Sequence, residues 1–176
     1  RFLRSRDAGP LQMPQMNIRL DQTVVAETLR TLQVLPPLPG EDRVHISPVD
    51  DIKEAADFVH RVYEDFFAEQ PEMIGRIYPA STSDLEVCRT AGALSYAIID
   101  GQIAGLIGAA PQTKYALDGF EVVEEVLDKA WRGQRLAAPL QRVFIRHLAE
   151  AHPDVMLYGT IDGNNAASLA TAIRVG

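Results

Sequence analysis

The sequence predicts an α/β domain in which helices flank a mixed sheet, and three observations carry this. "ALSYAIID" (93–100) and "IAGLIGAA" (103–110) meet at Asp100-Gly101, an antiparallel hairpin signal. The apolar stretches 120–128 and 155–161 enclose a helical pattern, which is the βαβ unit of a parallel strand pair. A long amphipathic helix precedes them both.

Taken in order, residues 1–22 carry little periodic signal and read as poorly ordered. "TVVAETLRTLQVL" (23–35) reads as a short amphipathic helix, and "PPLPG" (36–40) stops it as a stiff link. Residues 1–42 thus read as an extension, and 43–176 as the domain. "RVHISPV" (43–49) is a short alternating strand. Asp51 with Glu54 forms a capping-box pattern ahead of Ile52, Ala55, Ala56, Val59, Val62, Tyr63, Phe66 and Phe67 at helical spacing, a helix running to about Ala68. "STSD" (81–84) caps a second helix through Arg89. "RLAAPLQRVFIRHLAEA" (135–151) is a helix with Pro139 in its first turn. "NNAASLATAIRVG" (164–176) is the last helix.

Composition narrows the function classes. Apolar residues make up 47%, too many for general disorder. Seventeen Lys and Arg against 24 Asp and Glu give a net charge of −7, which argues against a nucleic-acid partner. A lone Cys88 allows no internal disulfide and the four histidines share no metal spacing, so no metal and a reducing, cytoplasmic compartment are expected. Apolar stretches fall short of the roughly 18–20 residues of a membrane span, so no membrane partner is expected.

The stretch "AWRGQRLAAP" (130–139) lies where the βαβ helix begins. Free N–H groups and the positive end of the helix dipole meet there, a setting suited to a pyrophosphate. Ala137 and Ala138 permit close approach, and Arg132 and Arg135 supply charge; a plain turn with solvated arginines is the competing reading.

"WRGQRLAAPL" resembles the acyl-CoA motif of the GCN5-related N-acetyltransferase (GNAT) family, Gln/Arg-x-x-Gly-x-Gly/Ala, with Arg132 first and Ala137 last. "LYGTIDGNNAASLATAIRVG" resembles the strand and helix that follow, through Asn165, Ser168 and Gly176. The likeness covers about 44–176 and implies the GNAT fold, acetyl-CoA as cosubstrate and transfer of an acetyl group to an amine. It implies that backbone amides around Gly133, Gln134, Leu136 and Ala137 hold the pyrophosphate. It further implies that the strand edge near Val126 and Leu127 pairs with pantetheine, and that Asn165 places that arm.

Departures from the pattern bear on mechanism. Arg135 replaces a glycine; read as part of the helical first turn, it is expected at negative φ with its side chain outward, where it can clamp a phosphate, the alternative being a required positive φ that distorts the loop and weakens CoA binding. The family's tyrosine acid falls at Ala172, leaving Tyr158 on the preceding strand as a substitute. Candidate bases are Glu125 and Glu121, with Glu124 on the opposite face unless a bulge swaps the faces. Tyr63, Phe66 and Phe67 stand where the acceptor site borders, with core packing the alternative. The family continues with two further strands, so the chain reads as incomplete at the carboxyl end, with the edge of the 155–161 strand unpaired and prone to association. A homodimer is a possible partner state. The functional reading is an N-acetyltransferase acting on a small amine or a protein amine. The rivals are a non-catalytic acyl-CoA sensor and a structural interaction module.

Overall fold

Side-chain caps set the start of each α-helix except the one that begins at Ala137. The computed structural model describes residues 2–3 and 22–176; the reading of 1–22 as poorly ordered falls almost wholly outside them. In chain order the elements are β1 (Phe2–Leu3), β2 (Gln22–Thr28), α1 (Leu29–Gln33), β3 (Val44–Pro48), α2 (Ile52–Glu69), α3 (Thr82–Thr90), β4 (Leu94–Ile99), β5 (Gln102–Lys114), β6 (Leu117–Leu127), α4 (Ala137–Ala151), β7 (Met156–Asp162) and α5 (Ala166–Val175). The Asp51 carboxylate accepts from the N–H groups of Lys53 and Glu54 to start α2, and Ser81 with Asp84 forms a complete capping box on α3.

The strands of the described residues form one sheet in the order β1-β2-β7-β6-β5-β4-β3. Only β6 and β7 are parallel; every other neighbouring pair is antiparallel. The fold class is as expected, an α/β domain built on a mixed sheet. One core layer joins α1, α4 and the end of α5 to the sheet, and a second layer packs α2 and α3 on the opposite face.

The expected helix over 23–35 is corrected. Residues 22–28 are a strand, and only Leu29–Gln33 is helical. Thr23, Val24, Val25 and Thr28 are β-branched, and β2 pairs with β7 along its whole length, from Gln22 opposite Asp162 to Thr28 opposite Met156. The expected unpaired edge of the 155–161 strand is therefore corrected too, because β2 covers it. Residues 22–42, read as an extension, are built into the sheet and core. Buried Arg142 of α4 donates to the carbonyls of Pro36 and Val175, and Arg146 pairs with buried Glu41.

Candidate active site

The β6 and β7 strands register only at Gly119–Met156, Phe120–Leu157 and Glu121–Tyr158. They close tightly there, since a Cβ on Gly119 would lie 2.2 Å from the Met156 carbonyl oxygen. Beyond Glu121 they part. A β-bulge sits at the same level: Ala109 pairs with Val122 and Gly108 with Glu124, so Val123 is the extra residue. The bulge swaps the faces of β6. Glu124 turns to the α2 side, against Tyr63 and Ala80, and Glu125 turns to the α4 side, against Gln141.

Two cavities open along this parting. One of about 460 Å³ lies between the start of α4, α5 and α2. The other, about 360 Å³, passes through the splay from the α2 side to the α4 side. Tyr63, Ile77, Glu125, Asn165 and Ser168 line both and mark their junction.

The larger cavity receives most of the expected cofactor residues: Val126, Leu127, Arg132, Gly133, Arg135, Leu136, Ala137 and Asn165. The N–H groups of residues 133–138 have no acceptor among the described residues, and Gly133 has φ +75. This is the bare amide cradle that an anion requires. Gln134 lines neither cavity; its side-chain amide donates to the Ala130 carbonyl. Arg132 is a brace rather than a rim charge. It donates to the carbonyls of Leu127 and Val62 and to Glu69, and lies 5.7 Å from the centre of the Phe66 ring. Asn165 caps α5, accepting from the Ser168 N–H.

Arg135 overturns the expectation of negative φ. The helix begins two residues later, at Ala137, and Arg135 sits in the turn at φ +62. The loop thus keeps a left-handed, glycine-type conformation with an arginine in it, at roughly 1–2 kcal/mol of strain. The side chain is exposed, as expected.

The carboxylates of β6 divide sharply. Glu121 lines neither cavity; it accepts from Lys114 Nζ at 2.7 Å and from Thr160 Oγ1 at 3.3 Å. Glu124 is buried and accepts from the Tyr63 hydroxyl (3.2 Å), the Ala80 N–H (2.8 Å) and the Glu125 N–H (3.0 Å). Burial pushes its carboxyl up to about 7 despite these donors. Glu125 accepts from Gln141 on Oε2, while Oε1 is shut off from solvent without a partner among the described residues. Burial, with the Glu124 charge adding to it, pushes Glu125 up to about 7 as well.

Tyr158 lines the smaller cavity, but it is buried and its hydroxyl donates to the Gln112 carbonyl; burial first, then Glu121, raises the phenol to about 12. Ala172 lines the same cavity with no hydroxyl to offer. Tyr63 and Phe66 line cavities, whereas Phe67 lines neither. The sequence reading missed the latch between Arg76 and Asp162, 3.2 Å, which ties the loop after α2 to the end of β7. It also missed Gln141. An α4 residue facing the splay has no local signature.

By sequence, no family model and no curated protein matches the chain. Among solved structures it is similar to an aminoglycoside acetyltransferase from an uncultured soil metagenomic sample in complex with sisomicin. That match has a TM-score of 0.53 at 13% identity, over 77% of this chain and 89% of that one. It is also similar to Arabidopsis thaliana Naa50 in complex with the bisubstrate analogue CoA-Ac-MVNAL, with a TM-score of 0.56 at 13% identity, over 76% of this chain and 82% of that one. The chain has the fold of the GNAT acetyltransferases, and at this identity the likeness is one of fold.

Proposed function

We propose that the chain is an N-acyltransferase that moves an acyl group, acetyl as the simplest case, from acyl-CoA to an amine. The observation that carries this is the junction: an amide cradle at the start of α4 leads along the β6–β7 splay to a buried carboxylate with a free oxygen. Sulfur of the cosubstrate would reach that junction while residues 133–138 hold the pyrophosphate, with the Arg135 side chain near a phosphate. The similar structures add support, since one carries a CoA-containing analogue and the other an aminoglycoside.

In this reading the amine nitrogen attacks the thioester carbon. The C–N bond forms as the C–S bond breaks, and the sulfur leaves as thiolate. The Glu125 carboxylate, at the junction of the two cavities, accepts the proton lost by the amine; a carboxylate held near neutrality is suited to that task. Glu124 is the weaker candidate, because both its oxygens already accept hydrogen bonds. No protein acid is required, because a thiolate is a tolerable leaving group near neutral pH and takes its proton from water once released.

Calorimetry with acetyl-CoA and with S-acetylpantetheine, which lacks the pyrophosphate, tests the cradle. Acetyl-CoA is expected to bind at micromolar Kd and the truncated thioester at least a hundredfold more weakly. Equal affinities, or no binding of acetyl-CoA by the folded chain, would remove the reading. Thiol release from acetyl-CoA across a panel of amines then tests transfer.

A further inference from the structure

The smaller cavity has two chemically different halves. On the α2 side it is lined by polar groups: Tyr63, Arg76, Tyr78, Glu124, Thr160 and Asp162. On the α4 side the paired Glu125 and Gln141 stand at the junction, and beyond them the lining is mostly apolar, from Val25 of β2, Leu32 of α1, Val122 of β6, Ile145 of α4, Leu157 of β7 and Val175 of α5. Register explains the split. Val25 pairs with Gly159, so both lie on the same face of the sheet as Leu157, while Ala26 with Tyr158 and Gln22 with Asp162 lie on the other. Glu27 also borders the apolar half, but its carboxylate turns to the Thr28 N–H at 2.8 Å.

Two small residues keep this half open. Ala172 offers only a methyl group from α5. Gly159 offers nothing from β7, and a Cβ there would meet only the Val122 Cβ, at an ordinary 3.9 Å. Its backbone is not left-handed. Neither a turn nor a close backbone approach therefore requires glycine at 159, and the space it leaves belongs to the cavity.

We infer that this apolar half receives the acyl chain of the donor, and that the chain is longer than acetyl, with Gly159 and Ala172 setting its length. This rests on the acyltransferase reading. It follows from continuity: Glu125, Asn165 and Ser168 are shared with the CoA-side cavity, so a thioester carbonyl at the junction directs its alkyl chain into either half. The polar half suits an amine and the apolar half an alkyl chain. Size agrees. A cavity of about 150 Å³ lined by Leu, Ile and Phe holds benzene, six carbons. The whole cavity, polar half included, is about 360 Å³, so an apolar half of comparable extent has room for a chain of about six carbons. Acetyl would leave most of the apolar lining uncovered.

The test is calorimetry of the whole chain with acetyl-CoA, hexanoyl-CoA and dodecanoyl-CoA. Each buried methylene is worth about a threefold to fourfold gain in affinity, so hexanoyl-CoA is expected to bind at least tenfold more tightly than acetyl-CoA, with no further gain for dodecanoyl-CoA. Gly159→Val, a residue at home in a strand, is expected to bring the hexanoyl-to-acetyl ratio towards one. Ala172→Leu on the facing helix is expected to do the same if the first variant does not fold. Equal binding of acetyl- and hexanoyl-CoA by the natural chain, or an undiminished ratio in a folded variant, overturns the inference and leaves the acyltransferase reading standing. Failure of all three thioesters to bind overturns both.

Discussion

Replacing Glu125 with Gln tests the buried carboxylate without any knowledge of the acceptor. The folded chain holds the Glu125 proton up to about pH 7, whereas an unfolded chain releases it near 4.5. Between these values the folded state binds more protons than the unfolded one. The stability that this group contributes is therefore fully present below pH 4.5 and is lost as pH rises through 7. At about 1.4 kcal/mol per pH unit the span amounts to about 3 kcal/mol, an upper figure because Glu124 titrates in the same range and shares the effect. Glutamine keeps an oxygen for the Gln141 amide and carries no charge. In urea unfolding from pH 4.5 to 8.5, Glu125→Gln is expected to match the natural chain at the acid end and exceed it by about 2–3 kcal/mol at pH 8. The same variant is expected to lose acyl transfer by about a hundredfold or more. A variant that is less stable at pH 8, or a natural chain whose stability does not fall relative to the variant as pH rises, would refute the burial argument.

Further predictions follow from the same geometry. Thiol release catalysed by the natural chain is expected to rise with pH through an inflection near 7, as Glu125 loses its proton; an inflection near 4.5 in the pH–rate profile would exclude a buried base. Arg135→Gly removes left-handed strain and is expected to gain about 1 kcal/mol, raising Tm by about 2–4 °C. It should also weaken acetyl-CoA about fivefold with a shallower salt dependence, and unchanged affinity would mean that the side chain faces no phosphate. Gly119→Ala drives a methyl group into the Met156 carbonyl and is expected to lower stability by about 3 kcal/mol in urea unfolding, through loss of the parallel pairing. A change under about 1 kcal/mol would mean that the strands can part there freely. Arg76→Ala leaves the buried Asp162 carboxylate without its cation and is expected to destabilise by about 2 kcal/mol, read from thermal unfolding.

Local chemistry made part of this structure legible and concealed the rest. Asp100 and Gly101 adopt φ +50 and +79, the left-handed pair that an Asp-Gly hairpin turn requires, and the hairpin lies where the dipeptide marks it. The next turn uses Tyr115 and Ala116 at φ +56 and +58. Neither residue favours that region, so the joining of β5 to β6 left no trace in the sequence. β2 was misread because its valines satisfy helical and extended spacing alike. What decides for a strand is the free edge of β7, more than a hundred residues away. Arg135 was misread because helix starts are uncertain by a residue or two, and here that interval separates negative from positive φ. For Glu124 and Glu125, alternation set the two carboxylates on opposite faces and could not show what covers either face. The sheet is covered on both faces, so neither is solvated.

The strand separation that opened the site also makes it costly to keep. A parallel pair that separates after three registers leaves strand edges and carboxylates in the interior, where a continuous ladder would have left neither. The compensation comes from β2. It binds β7 on the side away from the splay along the full strand, so β7 holds its place without β6 beside it. It also brings Val25 and α1 brings Leu32 to wall the far side of the opening. The segment that closes the sheet edge is therefore the segment that shapes the cavity. A substitution in β2 facing the cavity acts on what the site accepts, and one in its pairing with β7 acts on whether the splay persists.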